Sequence, residues 1–214
     1  MPVFQLDERL LFPPVDLAEP DGLLAVGGDL SEDRLLLAYR QGIFPWYDSP
    51  PICWWSPDPR FVLFPASLRT SKSMRPVLNG GKFVFTINRA FREVMQYCMQ
   101  TPRAGQQGSW INPEIIDAYT ALHAKGYAWS AEAWMEDCLV GGLYGIRMGK
   151  VFFGESMFSH ASNASKFAFI RWVQHLQQEG VELIDCQVYT EHLQSLGAEM
   201  IPRDQFLSLL QQRI

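Results

Sequence analysis

Glu155 and Asp185 each interrupt an apolar run that reads as a strand. The runs are Val151-Phe152-Phe153-Gly154-Glu155-Ser156-Met157-Phe158 and Val181-Glu182-Leu183-Ile184-Asp185-Cys186-Gln187-Val188. A carboxylate in such a place must face solvent, a partner or a pocket. Gln187 stands two residues beyond Asp185, so a regular strand turns both to one face and sets an acceptor beside an amide. A solvated strand face accounts for the same acids, and periodicity alone weighs the two readings equally. Trp46, Trp54, Trp55 and Trp110 read as core anchors or as an aromatic platform for a base or an apolar side chain.

Other familiar chemistry is missing. No G-x-x-x-x-G-K-[ST] phosphate loop is present. Gly154-Glu155-Ser156-Met157-Phe158 begins like a nucleophile elbow but ends in Phe, which makes Ser156 a poor nucleophile. Cys53, Cys98, Cys138 and Cys186 are widely spaced, and the four histidines show no ligand spacing, so neither a metal site nor a disulfide framework is expected. Met1 to Glu8 lacks a basic region followed by an apolar run, and no apolar stretch approaches the roughly 18 residues that span a bilayer. A cytoplasmic protein with reduced thiols and no membrane partner is expected.

The elements that must position these residues fall into two regions. Residues 1–60 are rich in Pro, Gly and Trp and contain one clear helix, with Ser31 as N-cap, Leu35, Leu36 and Tyr39 on its apolar face, and Gly42 beyond its end. Such segments form few ladders, so a small irregular N-terminal domain is expected. Residues 61–214 alternate. A strand at 83–87, helices at 89–100 and 112–126, and strands at about 127–135, 137–147 and 150–158 are expected. A long helix over 163–179, a strand at 181–186, a helix at 190–196, a strand at 198–201 and a last helix at 203–212 follow. The order predicts an α+β fold of acetyltransferase (GNAT) type, with a mostly antiparallel sheet flanked by helices. An acyl-CoA enzyme on that fold would want a glycine-rich loop before the long helix. Ser159 to Lys166 contains no glycine, which disfavours CoA.

The net charge is −5, which argues against a protein that coats nucleic acid. The charge is unevenly spread. Residues 59–105 carry Arg60, Arg69, Lys72, Arg75, Lys82, Arg89, Arg92 and Arg103 against the single acid Glu93, so the remainder is strongly acidic. Scattered surface cations explain this as well as a basic patch does.

Several blocks, taken in order, resemble the bacterial leucyl/phenylalanyl-tRNA–protein transferases. They are Gly27-Gly28-Asp29-Leu30-Ser31, Gly42-Ile43-Phe44-Pro45-Trp46, Trp54-Trp55-Ser56-Pro57-Asp58-Pro59-Arg60, Gly108-Ser109-Trp110-Ile111, Gly141-Gly142-Leu143-Tyr144-Gly145, Gly154 to Ser159, Asn163-Ala164-Ser165-Lys166 and Leu183 to Val188. The resemblance implies transfer of Leu, Phe or, less well, Met from aminoacyl-tRNA to the N-terminal α-amino group of proteins beginning with Arg or Lys, which marks them for degradation. It implies no cofactor and no metal, and a monomer is expected. It assigns Asp185 and Gln187 to catalysis: Asp185 polarises Gln187 or accepts the proton, and Gln187 contacts the attacking amine, with the terminal ribose hydroxyl an equal claimant for the proton. It gives Glu155 to the acceptor's Arg or Lys, and Trp46, Trp110, Leu143 and Trp172 to the donor side-chain pocket. With the match, Arg69, Lys72, Arg75 and Lys82 read as a tRNA-binding face. A CoA-dependent acyltransferase and a noncatalytic RNA-binding module remain the competing readings.

Overall fold

A computed structural model describes residues 3–101 and 109–214; Arg103 of the basic run and Gly108 of the Trp110 block lie outside them. The N-terminal region holds β1 (Phe4–Leu6), β2 (Leu23–Gly27), helix α1 (Glu32–Arg40), β3 (Phe44–Pro45) and β4 (Cys53–Trp55). These strands form a four-stranded sheet in the order β1-β2-β4-β3. The expectation of few ladders here is therefore corrected. Apart from Pro45, which ends β3, the prolines among the described residues of this region lie outside the strands, so the residues between them keep their ladder donors. Trp54 anchors the sheet: it is fully buried, its Nε1 donates to the Gly27 carbonyl at 2.9 Å, and Phe12 packs edge-on at 4.9 Å. Ser31 precedes α1 but makes no side-chain cap bond.

The rest of the chain builds a seven-stranded sheet from β5 (Arg60–Leu63), β6 (Val84–Ile87), β7 (Ala128–Met135), β8 (Cys138–Met148), β9 (Val151–Ser159), β10 (Leu183–Gln187) and β11 (Glu199–Ile201). The order is β11-β5-β10-β9-β8-β7-β6. All pairs are antiparallel except β9 with β10, which are joined through a long helix. The helices are α2 (Met74–Asn79), α3 (Phe91–Gln100), α4 (Pro113–Ala124), α5 (Ala164–Gln178), α6 (Glu191–Ser195) and α7 (Arg203–Gln211). This is the expected α+β arrangement, a mostly antiparallel sheet flanked by helices. Strand β5 and helix α2 are additions to the expected elements. All four residues of β5 are buried on a central strand, so it shows no alternation to read. The expected division at 60/61 falls just after Arg60, the first residue of β5.

Two cores lie on the two faces of this sheet. One gathers Tyr39, Tyr119, Val62, Phe153 and Phe206 under α1, α3, α4 and α7. The other gathers Phe61, Leu63, Phe152, Trp172 and Leu176 under α5. As the sequence suggests, α4 starts with Asn112, whose Oδ1 accepts from the Ile115 N–H at 3.0 Å. Gly141 allows α5 to seat against β8, since a Cβ there would lie 2.6 Å from the Ala164 side chain. At Gly145 a Cβ would come within 2.1 Å of the Phe153 carbonyl oxygen across the β8–β9 ladder.

Candidate active site

The site forms where β9 and β10 part. Their parallel ladder runs Leu183↔Val151, Ile184↔Phe152 and Asp185↔Phe153. Beyond it both strands are irregular. On β9, Tyr144 faces Ser156 and Gly145 faces Gly154, so Glu155 is the extra residue of a bulge. On β10, Asp185 faces Val62 and Gln187 faces Phe61, so Cys186 is extra, and Gln187 adopts φ 64°. Bulges re-aim side chains next to functional sites. Here they turn Glu155 and Gln187 toward each other, with Gln187 Nε2 donating to Glu155 Oε1 at 3.0 Å.

Glu155 lies at the centre of a polar network between helices. Tyr39 of α1 donates its hydroxyl to Glu155 Oε1 at 2.7 Å, and the Tyr119 hydroxyl of α4 lies 3.5 Å from Oε2. The two hydroxyls also hydrogen-bond each other. Two hydroxyl protons cannot fill three contacts at once. They are shared among the three, and the contact from Tyr119 to Oε2 is the long one. Oε2 thus has acceptor capacity to spare. Burial and the nearby Glu155 charge hold both tyrosines well above the usual phenol range, so they stay protonated donors. Burial pushes Glu155 up to about 7; the Asp185 charge adds to this, and the hydrogen bonds from Tyr39, Gln187 and Tyr119 oppose it. An ionised Glu155 only accepts, so the amide must present its NH₂ to it, which leaves the Gln187 carbonyl oxygen for a ligand.

Asp185 is placed differently from the sequence expectation. It is fully buried, and Arg60 grips both its oxygens, Nε to Oδ1 at 2.8 Å and Nη2 to Oδ2 at 2.7 Å. Oδ1 also accepts the Gln187 backbone N–H at 2.9 Å. The Arg60 guanidinium lies between the rings of Phe44 and Phe206, 4.8 and 4.7 Å from their centroids. Asp185 therefore touches the backbone of Gln187 rather than the space in front of it.

That space is a cavity of about 410 Å³ with mostly apolar walls. It brings together Trp46, Trp110, Leu143, Glu155 and Gln187 of the expected residues; Asp185 and Trp172 do not line it. Trp172 is corrected as a pocket residue. It is fully buried in the core under α5, edge-on to Phe152 and stacked on Trp129 and His175. Phe169, one turn earlier on α5, takes the place expected of it in the cavity wall. Cys186 also lines the cavity, but burial beside Asp185 holds its thiol well above the usual range, so it is no nucleophile.

The basic run divides. Arg69, Lys72, Arg75 and Lys82 are exposed, whereas Arg60 is buried with Asp185 and Arg92 pairs with Asp117 at 2.8 Å. The Arg69 N–H bonds the Leu196 carbonyl at 2.8 Å, which ties the basic segment to the end of α6, whose His192 and Leu193 line the cavity. Sequence reading puts Tyr39 on the apolar face of its helix and gives neither Tyr39 nor Tyr119 a part in the site. A buried tyrosine still owes its hydroxyl a partner, and that is the signal that could have found them. Arg60 leads an apolar run just as Asp185 interrupts one, and so carried the same signal. Among the described residues, no group of His, Cys, Asp and Glu could hold a metal ion, and no helix is long and apolar enough to cross a membrane.

An apolar cavity with a spare carboxylate oxygen and an oriented amide at its rim suits a transferase that works by holding an activated donor against an amine. Likenesses among solved structures are loose: FemX (10% identical, TM-score 0.49, covering 84% of this chain and 71% of that one) and a GCN5-related N-acetyltransferase from Kribbella flavida (11%, 0.41, 78% and 59%). The models for the leucyl/phenylalanyl-tRNA protein transferase and for its N-terminal domain match residues 62–211 and 28–58. The leucyl/phenylalanyl-tRNA–protein transferase of Syntrophobacter fumaroxidans is 57% identical over 215 residues, covering 100% of this chain and 92% of that one. That of Christiangramia forsetii is 59% identical over 202 residues, covering 93% and 95%. The chain belongs to the leucyl/phenylalanyl-tRNA–protein transferase family, and it is an aminoacyltransferase of that kind.

Proposed function

We propose that the enzyme takes Leu or Phe, and Met less well, from aminoacyl-tRNA and joins it to the N-terminal α-amino group of proteins beginning with Arg or Lys. The observation that carries this reading is the Glu155 carboxylate at the wall of a mostly apolar cavity, with an Oε2 that meets a single long contact from Tyr119 and so can accept further donors. A guanidinium or ammonium supplies such donors, and the apolar wall of Trp46, Trp110, Leu143 and Phe169 suits an unbranched-at-β donor side chain.

The chemistry asks little of the protein beyond placement. The donor is an activated ester, and an α-amine of pKa near 7.7–8.0 is roughly a tenth or more neutral at pH 7. The amine nitrogen attacks the ester carbonyl, the C–N bond forms, and the C–O bond to the terminal ribose breaks. The nitrogen's proton goes to the departing ribose oxygen, directly or through the neighbouring hydroxyl. The Gln187 carbonyl oxygen accepts from one amine N–H and aims the lone pair, since an amide is too feeble a base to remove the proton. Asp185, enclosed by Arg60, holds Gln187 rather than taking the proton.

The test is to mix the protein with tRNA carrying labelled leucine and a peptide beginning with Arg, and to follow label into the peptide. Label should pass to the peptide. No transfer above a peptide-free control rejects the reading, and transfer from leucyl-CoA instead would favour the CoA-dependent alternative. We place the tRNA on the exposed Arg69, Lys72, Arg75 and Lys82. Lys72→Ala with Arg75→Ala should raise the KM for tRNA and flatten its salt dependence by about 1–2 in log–log slope. An unchanged slope would put the RNA elsewhere.

A further inference from the structure

Arg60 is the least expected residue of the site. Sequence reading counts it only as one cation of the basic run, yet it is 1% exposed, and its Nη1 has no hydrogen-bond partner among the described residues. It joins three parts of the molecule. Phe44 from β3 and Phe206 from α7 stack on its guanidinium, and its fork closes on Asp185 of β10. Asp185 Oδ1 then takes the backbone N–H of Gln187 at the one residue of β10 with φ in the left-handed region. A non-glycine residue keeps such a conformation only where its surroundings impose it. The Gln187 side chain is set in turn against Glu155.

We propose that Arg60 is a positioning residue for the transfer step: by fixing Asp185 from both sides it holds the bulge at Cys186 and so aims the Gln187 amide at the attacking amine. A point charge at the same place would not do this, because the fork fixes the carboxylate's orientation as well as its distance. The inference rests on the proposed transfer reaction and on the role of Gln187 in it.

Steady-state transfer is measured for Arg60→Lys, for Gln187→Ala, for the two combined, and for the paired substitution Arg60→Met with Asp185→Leu. The pair removes both charges together, a change that buried ion pairs often tolerate in folding. Arg60→Lys should lower kcat about tenfold to a hundredfold, the scale of an ångström of misplacement, with the KM for tRNA and for the Arg peptide within about twofold. It should lower kcat little further when Gln187 is already Ala. The pair should fold, with thermal unfolding much closer to wild type than that of Asp185→Ala, yet remain slow. Recovery of kcat in the pair would show that Arg60 serves stability alone, and a raised KM for tRNA would give it a part in RNA binding. Either result overturns the proposal, as would additive losses with Gln187→Ala. Hydrogen exchange at the Gln187 backbone amide gives a reading independent of activity, and it should quicken in Arg60→Lys. Wild-type protein without transfer activity would overturn the function instead. Unchanged exchange in Arg60→Lys would overturn the positioning role whatever the reaction is.

Discussion

Asp185→Ala is expected to remove about 3–5 kcal/mol of folding stability, the largest loss of any single substitution in the site. The reason is what stays behind. The Arg60 guanidinium would keep its place between Phe44 and Phe206, 1% exposed, with no anion to face. The intact pair is not itself a strong net stabiliser, because both charges have been taken out of water; the cost comes from stranding one of them. The Gln187 N–H would also lose its acceptor in a buried setting. Asp185→Asn keeps an oxygen for that N–H but still leaves the charge unpaired, so it should cost somewhat less than Ala and far more than a surface change. For a chain of this length the Ala variant should melt about 6–20 °C lower. Urea unfolding checks the figure, and a loss under about 1 kcal/mol would mean that water reaches Arg60 and the pair is not sealed. Turnover measured on Asp185 variants must therefore be taken well below their melting temperature, or instability will pass for chemistry.

The sequence made the regular elements legible and hid the irregular ones. Strands β8 and β9 are long, largely apolar runs parted by Met148-Gly149-Lys150, and α4 carries an Asn-Pro start, so their places follow from pattern alone. The N-terminal strands are only two to five residues long and lie among prolines, too short to show a period. Among the site residues, Glu155 and Asp185 announced themselves as charges in apolar runs. Their roles did not follow, because a period of two cannot register a bulge. The regular-strand reading sets Asp185 and Gln187 side by side before a ligand, whereas the extra residue at Cys186 leaves Asp185 with Arg60 and sends Gln187 to Glu155. Trp172 and Phe169 are three residues apart on α5, close enough on a helical wheel that only the packing of Trp129 and Phe152 decides which one reaches the cavity. Long-range pairing, 125 residues apart for Arg60 and Asp185, has no local signature at all.

Glu155→Gln should make the protein more stable at alkaline pH and nearly useless for acceptors that begin with Arg or Lys. The Glu155 carboxyl is raised from 4.5 to about 7 in the folded protein. The folded state thus holds its proton more tightly than the unfolded chain does. The stability tied to this group is fully present below about pH 4.5 and is lost as pH rises through about 7. A shift of that size corresponds to about 3 kcal/mol, which we reduce to about 1–2 kcal/mol because the carboxyl opens partly onto the cavity and water there screens it. Gln fits the same network. Its carbonyl oxygen can accept from Tyr39 and Gln187 in place of Oε1, and its NH₂ can face the Tyr119 hydroxyl in place of Oε2. Urea midpoints of the variant should therefore vary less between about pH 5 and 8 than those of the wild type, and exceed them at the upper end. The same NH₂ would meet an incoming guanidinium donor to donor. Loss of one partner of such a pair costs about 2–5 kcal/mol, so transfer to an Arg peptide should fall by at least about thirtyfold. In the wild type that transfer should also climb with pH through about 7, as Glu155 ionises and the attacking amine loses its proton. A variant that keeps both the wild-type pH dependence of stability and its demand for Arg or Lys would remove Glu155 from the acceptor site. A stabilised, inactive variant would instead mark this carboxylate as a charge the fold carries at its own cost for the sake of the acceptor.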